Sequence, residues 1–396
     1  MTHELGISVY PDLSSMVQIE AYFERASRYG VTKVFSSLFS VEGSKEEILA
    51  YFEELIEKAH RYHLTVSLDV NPMAFEKLGA SPTDLSIFHT IAVDCLRLDL
   101  SFGAEKDAQL INNPYGIAIE FNQSPTLVKD LLGEGIAPER IQVCHNFYPQ
   151  RYTAMKWKTF LERNAEIKKL SNAVRISAFI SSNAPNTHGV WEAKSGLPTV
   201  ERLRFLPIDL QARMLLATGQ IDDLLIGNAY ASEEEFQALQ EVWTCLTADK
   251  KDRSDHPMID MLVAHGMLQL DSDVKILRLH LEPDATETEQ DILWNFYPHI
   301  DFGDSSEWIW RNRLPRFKYS EPTESIPPRT SPEAMFQPGD VLVVNDSYKH
   351  YAGELQIVRQ PIVNDGTRNK VAHLDEEEQG LLELISDGDR LVFLKA

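Results

Sequence analysis

The chain has 396 residues, enough for one large α/β barrel with an addition or for more than one domain. Its formal net charge of -22 argues against nucleic acid and anionic membrane surfaces as partners. Three cysteines, Cys95, Cys144 and Cys245, cannot build a disulfide framework and contain no metal-ligand pair, so a reduced, cytoplasmic setting is expected. The N-terminal residues run straight into a strand with no basic and apolar leader. No run approaches the roughly 20 apolar residues of a membrane span.

Over the first ~230 residues short β-like runs alternate with amphipathic helical segments, the pattern of a parallel sheet with crossover helices. Eight strands are expected, at Leu5–Tyr10, Lys33–Phe39, Leu64–Val70, Cys95–Leu100, Gly116–Phe121, Ile141–Cys144, Arg175–Ile180 and Asp223–Ile226. Ser14 or Ser15 can cap a helix from Val17 to Tyr29, and Ser44 one from Glu46 to Tyr62. Eight evenly spaced units predict a (β/α)8 TIM barrel over residues 1–250, with a doubly wound sheet as the alternative.

Side-chain parity points to a site. Strand 3 sets Val66, Leu68 and Val70 against Ser67, Asp69 and Asn71; strand 4 sets Leu96 and Leu98 against Arg97 and Asp99. Strand 5 sets Ile117, Ile119 and Phe121 against Glu120 and Asn122, and strand 6 sets Ile141, Val143 and His145 against Cys144 and Asn146. If the apolar sets face the helices, the polar sets point into the barrel, and Asp69, Asp99 and Glu120 converge on its C-terminal mouth. An internal salt-bridge layer of Arg97 with Asp69 or Asp99 is the bland alternative. Strand 6 ends in His145-Asn146-Phe147-Tyr148-Pro149-Gln150-Arg151, polar and aromatic where ligands sit in parallel α/β proteins.

After strand 7 a long polar loop, Ser181 to Gly196, continues into Pro198-Thr199-Val200-Glu201 and reads as a binding loop that orders over a ligand. Lys250 to Pro257 is the expected linker. Residues 251–396 read as a small, mostly β domain with strands at Lys275–Leu281, Val341–Val344, Glu354–Val358 and Arg390–Leu394, and without regular helices. Within it Trp308-Ile309-Trp310-Arg311-Asn312-Arg313-Leu314-Pro315-Arg316 is either an edge strand with solvated arginines or a basic-aromatic arm for an anionic sugar, using Arg311 and Arg313.

Several of these runs carry a resemblance. Leu5-Gly6-Ile7-Ser8-Val9-Tyr10-Pro11, Leu96-Arg97-Leu98-Asp99, Cys144-His145-Asn146-Phe147-Tyr148-Pro149 and Gly196-Leu197-Pro198-Thr199-Val200-Glu201 resemble the bacterial 6-phospho-N-acetylmuramidases. Gly339-Asp340-Val341-Leu342 and Tyr351-Ala352-Gly353-Glu354-Leu355-Gln356-Ile357 resemble that family's cyclophilin-like appended domain. The resemblance implies a cytoplasmic glycosidase that splits N-acetylmuramic acid 6-phosphate from N-acetylglucosamine in cell-wall recycling.

On this reading Asp69, Asp99 and Glu120 carry the acid and base or nucleophile roles that glycoside hydrolysis needs. Asn71, Arg97, Asn122, His145, Asn146, Tyr148, Arg151, Glu201, Arg311 and Arg313 hold the substrate. No metal and no organic cofactor is expected. The partner is a phosphorylated amino-sugar disaccharide, with neither nucleic acid nor membrane involved, and a homodimer is compatible with the chain. Two alternatives stay open: a sugar-phosphate epimerase or aldolase on the same barrel, and a non-catalytic sugar-phosphate-binding protein. Sensitivity to a chelator would separate the first, and tight binding without turnover the second.

Overall fold

The computed structural model describes residues 3–38, 42–247, 256–270, 274–319 and 325–396. It divides into two compact units, Met1–Glu241 and Val242–Ala396.

In the first unit eight parallel strands close a barrel in sequence order: β1 Glu4–Ser8, β2 Lys33–Ser37, β3 Thr65–Val70, β4 Cys95–Leu98, β5 Ala118–Asn122, β6 Gln142–Cys144, β7 Arg175–Ile180 and β8 Asp223–Ile226. Nine helices lie between and after them: α1 Met16–Arg28, α2 Lys45–Arg61, α3 Pro72–Leu78, α4 Ser86–Thr90, α5 Ala104–Ile111, α6 Pro125–Gly133, α7 Trp157–Leu170, α8 Ile208–Leu216 and α9 Glu233–Thr247. This is a TIM barrel. Local chemistry sets the helix starts. Ser15 with Gln18 and Ser44 with Glu47 each form a reciprocal capping box that satisfies donors left over by the first turn of α1 and of α2. Ser124 and Asn71 cap α6 and α3 with a single bond each, accepting from Leu127 N and Ala74 N, and each is followed by a proline at the first helical position.

The parity expected of the strands holds. Val66, Leu68, Val70, Leu96, Ile119, Ile141 and Val143 are buried toward the helices. The opposite set fills the barrel in pairs fixed by the register: Ser67 beside Cys95, Asp69 beside Arg97, Arg97 beside Glu120, and Asn122 beside Cys144. Phe35, Cys144, Phe179 and Leu225 form an apolar plug among these polar side chains. Beneath it Lys33 donates to Glu120 at 3.1 Å, and Arg175 pairs with Asp223. Polar interiors are uncommon in barrels, and here Asp69 pairs with Arg97, Glu120 with Lys33 and Asp223 with Arg175.

The second unit is mostly β. It holds α10 Pro257–Ala264, β9 Val274–Leu281, α11 Glu287–Trp294, β10 His299–Ile300, β11 Ile309–Asn312, β12 Met335–Phe336, β13 Asp340–Val344, β14 Leu355–Val358, β15 Ile362–Val363, β16 Arg368–His373 and β17 Arg390–Lys395. Seven of the strands form one sheet in the order β10-β17-β9-β16-β13-β14-β11. The expectation of no regular helix is corrected by α10 and α11. The start of α11 is another capping box, Thr286 with Glu289, a pattern present in the sequence but outweighed there by the short apolar runs on either side. The linker expected at Lys250 to Pro257 falls largely on 248–255, outside the described residues; His256 then caps α10. Among the described residues no helix is long and apolar enough to cross a membrane.

Candidate active site

A cavity of about 360 Å³ opens at the C-terminal end of the barrel, within the usual size range of small-molecule sites. Asp69 and Asp99 line it from the ends of β3 and β4, with Asp12 from the turn after β1. Phe35, Phe147, Tyr148 and Trp191 supply aromatic surface, and Arg97 and Asn146 complete its polar lining.

Arg97 organises this floor. Its side chain is 4% exposed and lies 6.0 Å from the centre of the Phe35 ring. One guanidinium nitrogen donates to Asp69 Oδ1 at 2.6 Å; another donates to Asn122 Oδ1 and Asn146 Oδ1, each at 2.5 Å. Asn122 in turn donates from Nδ2 to the Asp99 carbonyl at 2.5 Å and to its carboxylate at 3.2 Å. One buried cation thus holds groups from β3, β5 and β6, and through Asn122 it steadies Asp99. Burial pushes the Asp69 carboxyl above its ordinary value, outweighing the opposing pull of Arg97. The two carboxyl groups sit in unlike environments, Asp69 against the Arg97 guanidinium and Asp99 against the Asn122 amide.

Two loops, β6–α7 and β7–α8, close around the floor through a second buried arginine. Arg204 is 1% exposed. It donates to the carbonyls of Tyr148, Gln150, Ser195 and Gly196 and forms a two-pronged pair with Glu201 at 2.7 and 2.8 Å. Glu201 also accepts from the backbone of Tyr152 and Ala154, and these bonds, led by Arg204, pull its carboxyl down to about 2. The β7–α8 loop is tied at both ends. Ser181 and Ser182 bond Asn228, Leu197 donates to Ser181 Oγ, and Gly227 leaves no room for a Cβ beneath Leu197, whose carbonyl would lie 2.5 Å from it.

The structure brings Asp69, Asp99, Arg97, Asn122, Asn146 and Tyr148 together. The other expected residues have partners outside this cluster. Glu120 is 1% exposed, two residues deeper than Asn122, and is engaged with Lys33. Burial alone would lower the Lys33 ammonium, but the Glu120 carboxylate overrides it and holds that group raised. Asn71 caps α3 and lines a separate groove with Leu38 and Met73. Glu201 serves the loop clamp. Arg151 is exposed, donating to Ser195 Oγ at 3.0 Å with its guanidinium 5.0 Å from the Phe205 ring centre. In the second unit Arg311 forks onto the buried Glu354 at 2.6 and 2.9 Å, Arg316 joins that carboxylate at 3.6 Å, and Arg313 pairs with Asp304 at 3.0 Å. Asp12, Phe35, Ser37 and Trp191 were not singled out from the sequence. Asp12 directly follows the strand-ending Tyr10-Pro11, which was the available signal for it.

His145 faces outward with Ile141 and Val143, as parity placed it. Its Nε2 lies 2.7 Å from Asn164 Oδ1 on α7 and its ring packs on Phe160. Burial pulls it from 6.5 down to about 4. In the unfolded chain this histidine takes up its proton near 6.5, whereas the folded chain resists until about 4. Acidification through that window therefore favours unfolding, by on the order of 3 kcal/mol at its acid end. Denaturant titrations between these pH values should show a shallower loss of stability for His145→Gln than for the wild type. Parallel slopes would contradict the assignment.

The chain was then set beside known proteins. The family model described as 6-phospho-N-acetylmuramidase, N-terminal, matches residues 5–241, and the one described as 6-phospho-N-acetylmuramidase, C-terminal, matches residues 275–394. Among solved structures the chain is similar to an uncharacterized B. cereus protein, with 32% identity over 100% of both chains and a TM-score of 0.81. A conserved Enterococcus faecalis protein of unknown function shares the fold, with 19% identity over 99% of this chain and 96% of the other and a TM-score of 0.65. No curated protein matches the chain.

Proposed function

Because this chain belongs to the 6-phospho-N-acetylmuramidase family and is a glycoside hydrolase acting on a phosphorylated sugar, we propose that Asp69 and Asp99 are its hydrolytic pair. The observation that carries this is the meeting of these two carboxyl groups, unlike in environment, in one cavity around the buried Arg97. Asp69, whose proton affinity burial raises, protonates the leaving glycosidic oxygen. Asp99, held by the Asn122 amide, faces the anomeric carbon, where its carboxylate acts on that carbon, on a water, or on the substrate's own acetamido group. Asn146 and Tyr148 bond sugar hydroxyls. Phe35 and Phe147 cover the apolar ring face and keep water off the developing charge.

The substrate we assign is the disaccharide of N-acetylmuramic acid 6-phosphate and N-acetylglucosamine, released in cell-wall recycling and hydrolysed in the cytoplasm. Cys95 and Cys144, buried and not joined in a disulfide, support that compartment. The test is incubation with this disaccharide and with its unphosphorylated twin, read by mass spectrometry. Release of the two sugars from the phosphorylated form only is the expected result. Cleavage of neither overturns the activity, and equal cleavage of both overturns the phosphate selectivity.

A phosphate on the sugar calls for a cation at the rim, since the cavity itself is lined by three aspartates. Arg151, exposed and already steadied by Ser195 and Phe205, is the residue assigned. A charge-assisted bond to phosphate is worth about 1.5–3 kcal/mol. Arg151→Ala should therefore reduce the preference for the phosphorylated disaccharide at least about tenfold in kcat/KM. An unchanged preference removes Arg151 from phosphate binding.

A further inference from the structure

The cavity is bordered by a side chain held in a position that packing within the chain does not explain. Trp191 lines it while remaining 83% exposed, and its backbone sits in the left-handed region at φ 53, ψ 35. A bulky residue is costly there, and such conformations persist only where the surroundings enforce them. The surroundings do. Val190 and Ala193, on either side of it, pack on the buried cluster of Tyr10, Leu197 and Ala229. Ala193 N donates to the Val190 carbonyl at 3.0 Å, and Gly189 N to the Ala193 carbonyl at 3.3 Å. Ala229 N holds the His188 carbonyl at 2.8 Å, and a Cβ on Gly189 would run into Leu197. The turn is thus anchored on both sides of the exposed indole, at His188 to Val190 and at Ala193. A flexible loop could fold a bare indole down; this one keeps it out.

We infer that Trp191 is the stacking platform for the leaving sugar, the ring on the far side of the cleaved bond. This rests on the hydrolytic reading of the same cavity. Asp69 and Asp99 lie on the floor at the strand ends, so the ring whose anomeric carbon reacts sits deepest, and its neighbour extends toward the rim. There the electron-rich face of an indole meets the weakly positive C–H face of a pyranose. An indole already fixed in place loses little freedom when the sugar arrives, so the contact favours binding at low entropic cost. Trp191 is thus a positioning residue that selects a disaccharide over a single sugar with a small substituent.

The test compares two substrates on the full-length protein: the phosphorylated disaccharide, and the methyl glycoside of N-acetylmuramic acid 6-phosphate, which has no second ring. Trp191→Ala should raise KM for the disaccharide about tenfold and leave kcat/KM for the methyl glycoside within about twofold. Trp191→Phe, which keeps an aromatic face, should recover much of the loss. The melting temperature of the alanine variant should stay close to that of the wild type, since an 83% exposed indole contributes little packing and alanine leaves the backbone as it is. An unchanged disaccharide KM, or an equal loss on both substrates, overturns the inference. Failure of the wild type on both substrates would instead sink the hydrolytic reading beneath it.

Discussion

Asp69→Asn and Asp99→Asn should each lower turnover of the phosphorylated disaccharide by at least about 10²-fold while the protein stays folded. The asparagine keeps the shape and one oxygen acceptor, so Arg97 can still donate at position 69 and Asn122 at position 99. What disappears is the proton that Asp69 delivers and the charge that Asp99 holds. The pH profile should mark the acid: loss of Asp69, whose proton affinity burial raises, removes the fall in rate on the alkaline side. Near wild-type turnover in both variants would move the chemistry away from this pair, with Asp12 as the remaining carboxylate of the cavity.

The second large effect is expected on stability. Glu120 and Lys33 are a buried ion pair, with side chains 1% and 9% exposed. Removing one partner of such a pair leaves an uncompensated charge in a poorly solvated place, at a cost of about 3–5 kcal/mol. Glu120→Gln and Lys33→Met should each destabilise by that order in denaturant titrations. The double variant Lys33→Met with Glu120→Leu should lose much less than the sum, because it strands no charge. A Glu120→Gln protein of wild-type stability that has lost more than about 10²-fold in turnover would return Glu120 to the chemistry.

The contrast between Glu120 and Asp99 marks how far the sequence could be read. Alternation along a strand says which face a side chain occupies, and it placed Asp69, Arg97, Asp99, Glu120 and Asn122 inside the barrel. It does not say how deep. Depth follows from position along the strand: Glu120 lies two residues, about 7 Å, before Asn122 on β5 and meets Lys33, whereas Asp99 stands just past the end of β4 and meets Asn122. His145 teaches the same lesson from the other side. Its polar character suggested the site, its parity pointed to the helices, and geometry followed parity. Trp191 was hidden for a different reason. It lies in a loop with no periodicity, and its role comes from backbone strain and a missing neighbour, neither of which leaves a mark on residue type. Arg204 was legible only in its spacing from Glu201, because its other partners are carbonyl groups that every residue carries.

That arginine has a consequence for how the enzyme's substrate range can change. Its single guanidinium group ties residues 148–150, residues 195–196 and Glu201 into one body. An insertion or swap in either loop that displaces one of those carbonyls also loosens the other, together with the Tyr148 and Trp191 surfaces they carry. Variation in sugar preference should therefore arrive through side chains that project from a fixed rim, or through wholesale exchange of both loops with the clamp. Piecemeal remodelling of a single loop is the route this architecture closes.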